Sequence, residues 1–175
     1  AFMKVVAVYN LKGGVGKTTL AVNMAWCSAS LSARRTLLWD LDPQAGATFL
    51  VGAEPTAEKA RSVFAKDIAP TRLVKPTDTD RLSILPADRS LRSLDQFLFS
   101  LGKRKRLAKL LEGLEGHYDR VILDCPPGLT ETSEQVMRAA DVILAFDWVD
   151  LDSALRIKGE KLKAKAIHVS LDQHL

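Results

Sequence analysis

Apolar residues recur along the chain with two different spacings. Residues 4–10 (KVVAVYN), 36–39 (TLLW), 81–86 (RLSILP), 120–124 (RVILD) and 142–146 (VILAF) are short, nearly continuous apolar runs. Runs of that length and density are strands covered on both faces. Between them the period lengthens to that of helices. Residues 18–31 carry Leu20, Val22, Met24, Ala25 and Trp26, and residues 103–114 give the clearest amphipathic pattern. There Leu107, Leu110, Leu111 and Leu114 share one face, with Lys103, Arg104, Lys105, Arg106 and Lys109 around the rest. Helices are also expected over residues 131–139 and 153–165, and a last strand over 166–170. Residues 42–80 are less regular, punctuated by Pro43, Pro55, Pro70 and Pro76, with a short helix expected over 57–65. Strands alternating with helices predict one α/β domain over residues 1–175: a mostly parallel sheet with helices on both faces. Such sheets bind ligands at the carboxyl ends of their strands. The glycine-rich segment after the first strand, Asp40 and Asp124 all fall at such ends.

With 175 residues, 47% hydrophobic and 26% charged, the chain is long enough to bury a real core. No apolar run reaches the roughly 18 residues of a membrane span. The longest candidate, residues 21–38, is broken by Asn23, by serines and by Arg34 and Arg35. The N-terminus does not read as a secretory signal, and Met3 is taken as the natural start. Cys27 and Cys125 lack Cys-x-x-Cys spacing and are expected to be buried free thiols in a reducing cytoplasm. His117, His168 and His174 show no metal-ligand spacing and are given no role. A net charge of +4 permits an anionic partner.

The most specific chemistry lies in Lys12-Gly13-Gly14-Val15-Gly16-Lys17-Thr18-Thr19. Gly13, Gly14 and Gly16 let backbone N–H groups approach an anion without side-chain interference. The helix that follows presents its free N–H groups and positive dipole end. Lys17 supplies charge for the outer phosphates and Thr18 a hydroxyl for magnesium, so the segment reads as a phosphate loop for a magnesium-bound nucleoside triphosphate. The usual pattern has glycine five positions before the Gly16-Lys17 pair; Leu11 stands there instead, with Lys12 as an extra cation. Asp124, ending a buried strand, suits a carboxylate that holds magnesium through water. Asp40 and Asp42 offer two more carboxylates at a second strand end.

KGGVGKTT at 12–19, DLDPQ at 40–44, YDRVILDCPPG at 118–128 and the weaker RLSILPA at 81–87 together resemble the ParA/MinD superfamily of deviant Walker-type ATPases. The resemblance is closest to the ParA branch of chromosome and plasmid partition, and covers about the first 145 residues. It implies a P-loop NTPase fold with a deviant Walker A loop, and a slow, partner-stimulated ATPase using ATP and Mg2+. It also implies that the catalytic residues are Lys12, Lys17 and Asp42, and that residues 12–19 bind nucleotide. Lys17 would meet the β- and γ-phosphates and Thr19 the α-phosphate. Thr18 and Asp124 would serve magnesium directly and through water, with Asp40 supporting from further out. Lys12 would reach across an ATP-dependent homodimer to the partner's nucleotide, and Asp42 would orient the attacking water. The implied setting is cytoplasmic and nucleoid-associated, with nonspecific DNA and a stimulating protein as partners and no membrane.

The chain departs from the family at residues 45–46, Ala-Gly where Gly-Asn is frequent, and at residues 145–150, AFDWVD in place of a proline-containing loop. It also ends before the strands and helices expected to complete the adenine pocket and the DNA face. Two basic stretches are the substitutes considered for a DNA surface. The first comprises Lys103, Arg104, Lys105, Arg106 and Lys109; the second Arg156, Lys158, Lys161, Lys163 and Lys165. Two other functions fit the same fold: an ATP-gated interaction module with little hydrolysis, and a small-molecule ligase of the dethiobiotin or cobyrinate type. The MinD branch would require a terminal amphipathic helix, and an iron–sulfur role more cysteines.

Overall fold

The computed structural model describes residues 2–14, 16–146, 156–157 and 160–169. In chain order the elements are β1 (Lys4–Tyr9), α1 (Lys17–Ser30), β2 (Thr36–Asp40), α2 (Gly46–Leu50), α3 (Ser62–Ala65) and β3 (Lys75–Pro76). Then come β4 (Leu82–Leu85), α4 (Leu94–Leu101), α5 (Arg106–Glu112), β5 (Arg120–Asp124), α6 (Glu131–Ala139) and β6 (Val142–Ala145). Last are β7 (Arg156–Ile157), β8 (Glu160–Lys161) and β9 (Lys165–His168). Seven strands form one sheet in the order β3-β4-β2-β5-β1-β6-β9, parallel throughout except where β3 meets β4. The expected α/β architecture is the one observed.

The alternation of side chains along each strand divides the core in two. Val5, Ala7, Leu37, Trp39, Val121 and Leu123 face the larger cluster, which contains Phe64, Leu94, Leu98, Leu107 and Leu111 from α3, α4 and α5. Val8, Leu38, Ile84 and Ile122 face the opposite side, against Ala21, Ala25 and Ala29 of α1. Those alanines, at helical spacing, let α1 lie close to the sheet. The larger residues Trp26 and Leu31 point outward instead. Cys125 is buried as expected, but Cys27 is exposed because it sits on the solvent face of α1.

Three expected elements change. The helix placed at 57–65 contracts to α3, since Ala57 and Glu58 adopt φ of 55° and 65° and cannot enter a right-handed helix. The helix placed at 103–114 contracts to α5. Gln135 takes over its first turn, donating from Nε2 to the Lys103 carbonyl (2.6 Å) and accepting the Leu107 N–H at Oε1 (3.0 Å). The helix placed at 153–165 is replaced, where the chain is described, by β7 and β8 paired antiparallel and by the start of β9. Residues 153–155 and 158–159 lie outside the described residues. The helix α4 and the turn of helix α2 were not expected. By contrast α6 occupies the expected residues, closed by a capping box in which Thr130 and Ser133 bond each other's backbone.

Asp88, after β4, organises the irregular region. Its buried carboxylate accepts hydrogen bonds from the Thr56 hydroxyl, from the Ala60 N–H (3.0 Å), and from the N–H (2.8 Å) and hydroxyl (2.5 Å) of Ser90. Burial pushes this carboxyl up, but the hydrogen bonds from Ser90, Thr56 and Ala60 outweigh it and hold the group below its ordinary 3.8. A depressed folded value stabilises the fold above pH 3.8, and that contribution disappears as pH falls through the folded value. Asp88→Asn should therefore cost on the order of 2 kcal/mol at neutral pH. In urea unfolding followed by circular dichroism, the gap between the two proteins should narrow below about pH 4.

Candidate functional site

Parallel register sets the geometry of the site. Asp40, the last residue of β2, lies directly opposite Asp124, the last residue of β5, and Asp124 lies opposite Val8 of β1. β1 therefore delivers the glycine loop to the same edge of the sheet as both carboxylates. Asn10 fixes the start of the loop by donating from Nδ2 to the Lys12 carbonyl (2.6 Å). Its main-chain carbonyl accepts the Gly128 N–H (3.2 Å), tying the loop after β5 to the loop after β1. Sequence reasoning missed Asn10; its only sign was a polar residue ending an apolar strand.

Gly14 and Gly16 hold φ of 75° and 90°, the left-handed region that a side chain disfavours. Space around Gly13, Gly14 and Gly16 is open: an added Cβ would meet nothing within 4 Å. Gly16 caps α1 without any side-chain hydrogen bond, and no acidic residue stands in the first turn. The first N–H groups of α1 are thus left for an anion. Val15 lies outside the described residues.

Lys17 begins α1 and is only 6% exposed; its Nζ is 2.5 Å from Asp124 Oδ1. The Thr18 hydroxyl donates to Asp124 Oδ2 over 2.9 Å. Burial pushes the Asp124 carboxyl above its ordinary range, and Lys17 and Thr18 offset this only in part. Lys12, Gly13, Gly14, Gly16, Lys17, Thr18, Thr19, Asp42 and Pro127 line a cleft of about 270 Å³. The structure thus gathers the described residues of the phosphate loop, Asp124 and Asp42 at one place.

Asp40 does something more specific than expected. It is fully buried, and its oxygens accept the Asp42 N–H (3.1 Å), the Thr48 N–H (2.9 Å) and the Thr48 hydroxyl (2.7 Å). It therefore shapes the turn that carries Asp42. Burial, then repulsion from Asp124, raises its carboxyl to about 7. The Thr48 hydroxyl in turn accepts the Ala87 N–H (3.0 Å), linking this turn to the segment after β4. Ala45 in the same turn holds φ 57°, a conformation that glycine adopts more readily. Among the described residues, no group of three or more His, Cys, Asp or Glu could hold a metal by itself.

The basic candidates separate. Lys103, Arg104, Lys105 and Lys109 are exposed, whereas Arg106 is buried, 7% exposed. Lys66 joins them around a second concavity. In the second stretch Lys163 and Lys165 are exposed, and Lys163 is 3.3 Å from Asp141. Lys158 lies outside the described residues, as do the side chains of Arg156 and Lys161.

A phosphate-binding loop between a parallel strand and a helix, with a carboxylate ending the neighbouring strand, defines a P-loop nucleotide-binding domain. An AAA domain family model matches residues 3–152, and the chain belongs to that family, within the ParA/MinD superfamily and related to ParA partition proteins. Sporulation initiation inhibitor protein Soj of Bacillus subtilis is 33% identical over 144 residues, covering 81% of this chain and 56% of Soj. Chromosome partitioning protein ParA of Myxococcus xanthus is 35% identical, covering 81% of this chain and 50% of ParA. The chain thus spans about half the length of these relatives. The structure of cobyrinic acid a,c-diamide synthase from Mycobacterium smegmatis with ADP and magnesium has a TM-score of 0.81 at 30% identity. It covers 95% of this chain and 74% of the synthase.

Thr48→Val keeps the side-chain shape but leaves Asp40 short of a donor and the Ala87 N–H without its acceptor. A loss of about 1–3 kcal/mol is expected, read as a lower midpoint in urea with unchanged slope.

Proposed function

We propose that this chain is the nucleotide-binding domain of a partition-type ATPase, which binds and hydrolyses ATP with Mg2+ and serves chromosome or plasmid segregation. The observation that carries the reading is the convergence of Lys17, Thr18, Asp124 and Asp42 on the cleft at the uncapped head of α1. A triphosphate in that cleft would meet loop N–H groups and the helix dipole. Lys17 would exchange the Asp124 carboxylate for phosphate oxygens. Thr18 and Asp124 present hard oxygen donors 2.9 Å apart, a donor set suited to magnesium. Magnesium, when bound, neutralises charge shared between the phosphates and the end of β5. A cation there would also draw the raised Asp40 and Asp124 carboxyls back to their ionised forms.

Asp42 reaches the cleft on a turn held by Asp40, and would orient the attacking water. Lys12, exposed at the rim, would cross a homodimer interface and stabilise charge on the partner's phosphates, as an arginine finger does. ATP would favour the dimer, and hydrolysis would release it. Nonspecific DNA and a stimulating protein are the proposed partners, in a cytoplasmic, nucleoid-associated setting. The family relationship and the match to a chromosome partitioning ParA support this.

The likeness to a cobyrinic acid a,c-diamide synthase, 30% identical with a TM-score of 0.81, is the observation behind a second reading: activation of a small carboxylic acid by ATP. Phosphate release by the purified chain distinguishes them. Under the partition reading, ATP alone is turned over slowly, DNA and the stimulating protein accelerate it, and Asp42→Ala lowers the rate by about 100-fold or more while nucleotide still binds. Turnover that requires a small carboxylic acid and amide donor, and ignores DNA, would favour the ligase.

A further inference from the structure

Asn10 stands between β1 and the phosphate loop and, although polar, is completely buried. Its backbone is held from one side. The Asn10 carbonyl accepts the Gly128 N–H (3.2 Å), and the hydroxyl of the preceding Tyr9 donates to the Gly128 carbonyl (3.2 Å). The side chain makes one bond, from Nδ2 to the Lys12 carbonyl. Turning the amide over would set Oδ1 against that carbonyl, acceptor facing acceptor, so Nδ2 is the end that meets the loop. Oδ1 is buried without a hydrogen-bond partner among the described residues. An unmatched buried acceptor costs stability, so this amide adds little net to the fold. Its one bond goes to the loop.

The direction of the Lys12 carbonyl decides that of the next N–H. In a trans peptide the Lys12 carbonyl and the Gly13 N–H point opposite ways, and the described chain has no cis peptide. Drawing the carbonyl inward to Asn10 therefore turns the Gly13 N–H outward. Gly13 is exposed and lines the cleft beside Lys12 and Lys17, and its N–H donates to no acceptor among the described residues. Glycine also leaves this peptide free to turn over. The reversed peptide would aim a carbonyl oxygen at the ligand, which repels a phosphate where an N–H attracts it.

We propose that Asn10 is a positioning residue, which locks the Lys12–Gly13 peptide so that the Gly13 N–H faces a phosphate of the nucleotide before the nucleotide arrives. This rests on the nucleotide reading of the cleft and assigns one phosphate donor within it. The gain is preorganisation. Without Asn10 the peptide takes both orientations, and affinity falls with the fraction of chains whose N–H faces the cleft.

Calorimetry and amide NMR with Mg-ADP, on the parent chain and on Asn10→Leu, test the proposal. Leucine has a similar shape without the donor, and Asn10→Ala adds no bulk should leucine prevent folding; urea midpoints verify that each variant is folded. In the parent, Mg-ADP should move the Gly13 and Gly16 amide protons downfield, as donation to phosphate does. In the folded variant the Gly13 movement should be lost and that of Gly16 kept, with affinity lower by about tenfold, one charge-assisted hydrogen bond. Equal affinity, or weaker binding with the Gly13 movement unchanged, would overturn the proposal while leaving the nucleotide reading intact. A parent chain that binds no Mg-ADP would overturn both.

Discussion

The ion pair between Lys17 and Asp124 joins the head of the first helix to the end of the central strand, in a place almost closed to water. Removing two charges from water is expensive, and a well-packed apolar pair of similar size often stabilises a fold as well or better. Under the proposed function the pair has a role beyond stability. It holds a cation and a carboxylate at the spot where the uncapped N–H groups of α1 already favour negative charge. A phosphate entering the loop can take the ammonium, and a divalent cation can take the carboxylate, so each ligand meets a group freed by the other. The open space around the three loop glycines leaves the approach clear.

Much else follows from keeping that pair aligned. Val8, Asp124 and Asp40 lie side by side across three adjacent parallel strands, and a one-residue slip in β2 or β5 would turn a carboxylate to the other face. The alanine stripe of α1 lets the helix sit close enough to the sheet for Lys17 to reach Asp124. From Asp40 a line of hydrogen bonds runs through Thr48 to Ala87, and the adjacent Asp88 gathers Thr56, Ala60 and Ser90. The long segment between β2 and β4 is thus fastened at two carboxylates to the sheet edge that carries the phosphate loop, which explains how so few regular elements hold so many residues.

What could be read from the amino acids follows from whether the cause was local. The apolar runs of β1, β2, β5 and β6 are covered on both faces, and the phosphate loop is contiguous, so neighbouring residues alone reveal them. Asp40 and Asp124 were legible because strand ends share an edge in any parallel sheet. The first turn of the helix expected at 103–114 was lost to Gln135, a residue distant in sequence, and no local pattern announces such a competitor. Ala57 and Glu58 adopt left-handed backbone without being glycine, because Thr56 and Ala60 are tied to Asp88. The helix α4 is a different case. Leu91, Leu94 and Leu98 have helical spacing and Gly102 is a fitting terminator, so the signal was present and overlooked. Nothing in the sequence marked Arg106 as the buried member of its basic run.

The central claim is that the head of α1 grips a triphosphate. Isothermal titration calorimetry with Mg-ATP, on the parent chain and on Lys17→Ala, tests it most directly, with circular dichroism to verify that the variant is folded. One nucleotide should bind per parent chain, and binding should weaken by about 100-fold or more once the ammonium is removed, as expected for losing a charge-assisted contact in a desolvated site. Equal heats from a folded variant, or no heat from the parent chain, would contradict the account.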